Sequence, residues 1–194
     1  IGGTGLIGTK LTNKLRSSGH EVIVASPSTG VNTITGEGLD AALAEAQVVV
    51  DVSNSSQFED RTVLEFFATS VRNLVAAEHR ARVKHHVVLS VVGTDRLQQS
   101  SYFQAKLAQE DAVKKSGLAY SIVRSTQFFE FMDIIADSAT SENLIQLPPV
   151  SFQPVAADDV VNVLVDVVLG TPLQGTIEIA GPERSDLAEL TQRY

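Results

Sequence analysis

The chain has 194 residues, 43% of them hydrophobic and 20% charged, with a formal net charge of −8. That length suits one domain with its own core, and the acidic balance argues against binding nucleic-acid phosphates or an anionic membrane surface. With no cysteine, disulfides and thiolate metal sites are excluded; no apolar run reaches membrane-spanning length and no signal peptide is read, so a cytoplasmic protein is expected.

The chain opens on Gly2-Gly3-Thr4-Gly5-Leu6-Ile7-Gly8, which reads as a strand-to-helix turn that holds a dinucleotide pyrophosphate. Gly2 makes the tight turn, Gly5 lets the backbone approach the diphosphate, and Gly8 lets the helix pack on the sheet. The helix N-terminus then faces the anion. A flexible glycine-rich segment is the plainer alternative, but the context opposes it. Leu6, Ile7, Leu11 and Leu15 continue at helical spacing to Gly19, and Glu21 to Ala25 reads as a strand. Only Ile1 stands where the strand before the loop belongs, so that first strand is expected to be missing from this sequence.

The second strand leads into Ser26-Pro27-Ser28-Thr29. No acidic residue stands there to hold a ribose 2′-hydroxyl and repel a 2′-phosphate, and no arginine clamps a phosphate. The hydroxyls of Ser26 and Ser28 lean the reading toward NADP, with NAD and a plain turn left open. A short helix over Leu39 to Ala46 precedes a strand, Gln47 to Val52, and a loop, Ser53 to Ser56. Phe58 to Glu78 reads as a long helix, apolar widely enough to face both the sheet and a second subunit. His85 to Val92 is a strand whose adjacent histidines point to opposite faces, a poor chelating pair, so no metal site is expected. Ser101 to Ser116 is a helix, Leu118 to Val123 a strand, Phe128 to Asp137 a helix, and Ser138 to Pro154 irregular, with Pro148 and Pro149 together. Asp158 and Asp159 are expected to cap a helix running to Leu169; Gly175 to Ala180 closes the strand list, and Asp186 to Tyr194 reads as a helix. Strands alternating with helices imply an α/β, Rossmann-type doubly wound parallel sheet covered on both faces.

Tyr102 and Lys106 lie four apart on a predicted helix, on one face and about 5–6 Å apart at Cβ. An ammonium so placed lowers a tyrosine pKa toward working pH and equips it to exchange a proton with a carbonyl or alcohol oxygen. Ser90, at the end of its strand, is positioned to hydrogen-bond the same oxygen.

The glycine loop, Ser90 and Tyr102-x-x-x-Lys106 resemble the short-chain dehydrogenase/reductase superfamily. Gly2 to Gly8 together with Val123-Arg124-Ser125-Thr126-Gln127-Phe128-Phe129-Glu130-Phe131 are most similar to its atypical, NmrA-like branch. The resemblance implies one NAD(P)-binding domain over residues 1–194, with 128–154 and 171–194 forming a small substrate-side region. It implies that Gly2, Gly3, Thr4, Gly5, Leu6, Ile7 and Gly8 bind the pyrophosphate and that Ser26 and Ser28 lie near the adenosine ribose. Val52, Ser53 and Asn54 would flank the adenine side. Lys106 would hold the nicotinamide ribose and tune Tyr102; Arg124, Ser125, Thr126 and Gln127 would line the nicotinamide, and Phe128 would reach toward substrate. The implied activity is hydride transfer to or from a small carbonyl or quinone, with Tyr102 as acid/base and Ser90 as partner to the substrate oxygen. A non-catalytic NADP-binding redox sensor stands as the alternative, and a nucleotide-sugar epimerase or dehydratase as the third. The partners expected are a small-molecule substrate and a second copy of the chain.

Overall fold

Four β-branched runs build the sheet that carries the site: β1 (Val48–Asp51), β2 (His85–Val91), β3 (Tyr120–Ser125) and β7 (Gly175–Ile179). All pair in parallel in the order β1-β2-β3-β7, with Val50 opposite Val87, Val88 opposite Ile122 and Val123 opposite Ile177. The computed structural model describes residues 1–55, 61–141, 144–145, 147 and 150–193. Two small antiparallel pairs lie outside the main sheet: β4 (Thr140–Ser141) with β5 (Leu144–Ile145), and β6 (Ser151–Phe152) with β8 (Ser185–Asp186).

Parallel strands joined by crossovers need helices on both faces, and side-chain alternation along each strand decides which residues meet them. On one face Val87 and Val123 pack with Ile7, Leu11 and Leu15 of α1 (Leu6–Ser17) and with Val160, Val161 and Leu164 of α6 (Ala157–Leu169). On the other, Val49 packs with Leu74 and Ala77 of α3 (Arg61–Ala81), and Val88 and Ile122 pack with Val71 of α3 and Val113 of α4 (Ser101–Lys115). The start expected for the long helix, at Phe58, lies outside the described residues, as do Pro148, Pro149 and Tyr194. The apolar residues of α3 are largely consumed within the chain: Val63, Phe67, Val71 and Leu74 are buried, and Leu64 is exposed.

Two expectations are corrected. Glu21 to Ala25 is extended but is not a ladder strand. Its described link to the sheet is one bond, from the Gly3 N–H to the Ala25 carbonyl at 3.2 Å. A parallel strand requires successive alternating bonds to a neighbour, and here residues 1–3 alone run between this segment and β1, where Val52 N–H donates to the Ile1 carbonyl at 3.1 Å. The second correction concerns α6. Asp158 and Asp159 lie inside its first turn, where their charge complements the helix dipole as expected, but the capping is done from a distance: Glu130 accepts the Ala157 N–H at 3.0 and 3.1 Å through its two carboxylate oxygens. Asp158 pairs with Lys10 of α1 at 2.8 Å instead.

The C-terminal ends of β1, β2 and β3 open to one side. After β3 the chain is held in line by Thr126 N–H to the Ile179 carbonyl (3.0 Å) and by a parallel bridge between Phe128 and Val155. A 3-10 turn over Phe129–Phe131 and α5 (Met132–Ser138) then cross above that edge. Among the described residues no helix is long and apolar enough to cross a membrane, and no cluster of three or more His, Asp or Glu is arranged to hold a metal. His85 bonds the Ser121 hydroxyl, and His86 pairs with the buried Glu78 at 2.8 Å.

Candidate functional site

A cavity of about 830 Å³ lies along the C-terminal edge of the sheet. Its first wall is the glycine loop. Gly2 has φ +76°, and a Cβ there would meet the Ser53 backbone nitrogen at 2.8 Å; a Cβ on Gly8 would lie 2.3 Å from the Gly2 carbonyl oxygen. These two glycines are therefore required by the chain's own packing. Gly5 differs: its Cβ would meet nothing nearer than the Gly2 oxygen at 3.4 Å, an ordinary contact, and its φ of −77° suits any residue. Gly5 lines the cavity, so what its hydrogen leaves clear is ligand space.

Gly5 is also the N-cap of α1. No side chain caps that end, and no acidic residue stands in its first turn. The orphan N–H groups and the positive end of the helix dipole are thus left for an anion. Across the cavity, Thr126 Oγ1 is buried and has no hydrogen-bond partner among the described residues. A buried hydroxyl without a partner is costly, but this atom is closed to solvent and so does not open into the cavity. The uncapped start of α1, opening on a long cavity, fits a dinucleotide with its diphosphate over the Gly5–Leu6 turn.

The second wall carries the reactive groups. Tyr102 and Lys106 both line the cavity, one turn apart on α4. Tyr102 sits edge-on between Phe67 and Phe103, at ring distances of 6.2 and 5.9 Å. Burial pushes its phenol up to about 12, against the lowering effect of a hydrogen bond with Asn54. This is opposite in direction to the lowered value expected from Lys106. The reason is where the ammonium goes: Lys106 Nζ donates to the Leu89 carbonyl at 2.9 Å and to Gln109 Oε1, and stands 4.5 Å over the Phe67 ring. Burial lowers Lys106 to about 8, although Asp51 and Glu110 both act to raise it.

That depression has a consequence for stability. Lys106 holds its proton less firmly folded than unfolded, so the charged form costs stability below about pH 8. The cost is relieved as pH rises from there to the ordinary lysine value of 10.5. Relative to a Lys106→Met variant, the native chain is expected to gain roughly 3 kcal/mol of unfolding free energy across that window. Urea unfolding of both proteins at pH 7.5 and 10.5 checks it, and a constant difference would contradict it.

Of the other residues expected at the site, Gly2, Thr4, Gly5, Leu6, Ile7, Ser26, Val52, Ser53, Asn54, Ser90, Ser125, Thr126, Gln127 and Phe128 line the cavity, whereas Gly3, Gly8, Ser28 and Arg124 do not. Ser28 is exposed, its hydroxyl 2.9 Å from that of Ser26. Arg124 lies on the opposite strand face. Its Nε and Nη2 grip the two oxygens of Glu110 at 2.9 and 2.8 Å, and its Nη1 lies 3.3 Å from Glu178. Ser90, its neighbour in register, lines the cavity as expected, but its hydroxyl donates its proton to the same Glu110 at 2.7 Å. Burial would raise the Glu110 carboxyl, but the bonds from Arg124 and Ser90 outweigh it and hold it below its usual range. Arg124→Met would strand that buried carboxylate. A loss of about 3 kcal/mol in urea unfolding is expected, and a loss under about 1 kcal/mol would show that the pair does not hold the sheet edge.

The sequence reading missed two parts of the lining. One is Asn32, Thr33 and Ile34; the other is the apolar group Phe66, Phe103, Phe131, Ile134 and Ile135. Among the described lining residues Lys106 carries the one charged side chain.

A family model described as NAD(P)H-binding matches residues 2–169. The chain belongs to that family. Its resemblance to the atypical short-chain dehydrogenase/reductases agrees with this, and so do its relatives. It is 24% identical over 144 residues to the photosystem II assembly factor Ycf39 of Cyanophora paradoxa, a match covering 67% of this chain and 45% of that protein. The chain thus spans less than half the length of that curated relative. Two solved structures share the fold. The UDP-N-acetylglucosamine 4-epimerase of Bacillus cereus superposes with a TM-score of 0.79 at 19% identity, over 98% of this chain and 77% of that one. The Bordetella bronchiseptica enzyme WbmH, solved with NAD+, gives 0.77 at 15% identity, over 97% and 76%.

Proposed function

We propose that this member of the NAD(P)H-binding family is an oxidoreductase that passes hydride between a nicotinamide cofactor and a small apolar carbonyl or quinone. The observation that carries the reading is one cavity that joins an uncapped helix N-terminus, the Tyr102 phenol and the Lys106 ammonium. A nicotinamide dinucleotide, when bound, supplies or accepts the hydride. The chain's residues do the rest. Gly5 and the start of α1 receive the diphosphate, and Lys106 donates to the nicotinamide ribose. Tyr102, protonated throughout the neutral range, gives a proton to the reduced oxygen. A phenol held at about 12 is protonated at neutral pH, the state needed to donate when a carbonyl is reduced.

The substrate class follows from the apolar part of the cavity lining. Phe66, Phe103, Phe131, Ile134 and Ile135 offer apolar contact, and among the described lining residues no second cationic side chain stands to receive a sugar diphosphate. A flat or small apolar substrate fits better than a nucleotide sugar. With neither acid nor base beside Ser26, we propose NADP as cofactor with NAD also accepted, their affinities within about tenfold.

Nicotinamide fluorescence during titration with NADPH and NADH, followed by substrate-dependent NADPH oxidation with aldehydes and quinones, tests the reading. Binding of neither nucleotide would overturn it. The Ser90 hydroxyl, committed to Glu110, supports a second reading, in which the chain binds the nucleotide as a redox sensor and presents itself to a protein partner. Binding without turnover on any tested substrate would favour that reading over the first.

A further inference from the structure

Beneath the cavity runs a buried polar chain whose inner members line no part of it. Lys106 Nζ donates to Gln109 Oε1, and Gln109 Nε2 donates to Asp51 Oδ2 at 2.8 Å. Asp51 Oδ1 accepts the Ser53 hydroxyl at 2.6 Å and the Ser53 N–H at 3.0 Å. Lys106 is 2% exposed, Gln109 0% and Asp51 1%. The chain begins and ends at the cavity wall, since Ser53 and Lys106 both line it.

The orientation of the Gln109 amide is fixed by its neighbours. Turned over, it would set its NH2 against an ammonium and its oxygen against a carboxylate. As it stands, the amide dipole points its negative end at the cation and its positive end at the anion, the arrangement in which each bond strengthens the next. Among the described residues Lys106 makes no direct ion pair, so Gln109 is its hydrogen-bonded route to a counter-charge. The groups facing Lys106 are few. Asp51 acts from β1, Glu110 from α4 itself, and Tyr102 stands one turn earlier; α3 offers the Phe67 ring and β2 the Leu89 carbonyl. Glu110 is already held by Arg124 and Ser90.

We propose that Gln109 is a positioning residue that couples Asp51 to Lys106, keeping the ammonium charged and turned beside the Leu89 carbonyl at the cavity wall. The proposal rests on the reading of Lys106 as the residue that meets the cofactor. It predicts opposite effects from two substitutions at one position. Gln109→Leu removes the acceptor and the link to Asp51, and the Lys106 midpoint should fall by about one pH unit. Gln109→Glu brings a carboxylate into contact, and the midpoint should rise by about one unit. A role in packing alone would not move the two in opposite directions.

The test is NMR titration of the Lys106 side-chain Cε in the full chain labelled at lysine, assigned with Lys106→Met and needing no ligand. A native midpoint near 8 is expected, lower in Gln109→Leu and higher in Gln109→Glu. Shifts under about 0.3 unit, or of the same sign in both, would overturn the assignment. If Gln109→Leu does not fold, Asp51→Asn replaces it, with the same downward shift expected. NADPH affinity, measured over the same pH range, should fall on the alkaline side with the same midpoints. Midpoints that shift as expected without NADPH binding would strike the functional reading alone. Binding with midpoints that do not move would strike the role of Gln109 alone.

Discussion

Replacing Gly5 with aspartate is expected to make the protein more stable and to abolish its binding of nicotinamide nucleotides. Gly5 occupies the N-cap of α1 at φ −77° and ψ 179°, extended backbone that aspartate adopts without strain, and the added Cβ meets only an ordinary contact. Its carboxylate would accept an orphan N–H of the first turn and complement the helix dipole, a gain of roughly 0.5–1 kcal/mol over glycine. The same carboxylate would stand where the diphosphate belongs. At about 5 Å and an effective dielectric near 20, each like-charge pair costs about 3 kcal/mol. With two phosphate charges, about 6 kcal/mol in all, a loss on the order of 10⁴–10⁵-fold in affinity is expected. Thermal unfolding and NADPH titration of the one variant read both effects. A stable Gly5→Asp protein that still binds NADPH would remove the loop from the site. Gly8→Asp would not serve, because a Cβ at Gly8 collides with the Gly2 carbonyl and the loop itself would fail.

The contrast between Gly5 and Gly8 shows what the sequence could and could not disclose. The alternation of strands and helices, the glycine loop and the four-residue spacing of Tyr102 and Lys106 are local patterns, and apart from the strand expected over Glu21 to Ala25 each lies where its period put it. The side chains read wrongly are those whose partners are far away in sequence. Arg124, opposite Ser90 in register across β2 and β3, turns from the cavity to Glu110 on α4; nothing local reveals that register. Glu130 caps a helix that starts 27 residues later. Phe66 and Phe103 have the spacing of core residues, and only the tertiary arrangement makes them cavity wall. One signal was available and was not used. The face that α4 buries, at Ala105, Lys106, Gln109, Glu110 and Val113, is polar at three of its five positions. Charged and amide residues at core spacing must find partners or a ligand, and here they find Asp51, Arg124 and the cavity.

Tyr102→Phe is expected to leave the fold and nucleotide affinity nearly unchanged and to cost about 10²–10⁴-fold in aldehyde reduction. The phenyl ring retains the edge-on contacts with Phe67 and Phe103. What is lost is the hydroxyl and its bond with Asn54, worth about 1 kcal/mol of stability. An alkoxide formed from an aldehyde is strongly basic, and a positioned acid lowers its barrier. A reduced quinone carries far less basic oxygens that take protons from water. Quinone reduction should therefore survive the substitution within a few-fold. The pH profile separates the two side chains. Tyr102 stays protonated until about 12, so the alkaline loss of aldehyde turnover should follow Lys106, with a midpoint near 8. Steady-state rates on one aldehyde and one quinone, native and variant, from pH 6 to 10, decide it. An equal loss on both substrates would assign the hydroxyl to positioning rather than proton transfer. No loss on either would take Tyr102 out of the chemistry and leave the cavity as a binding site read by a partner protein.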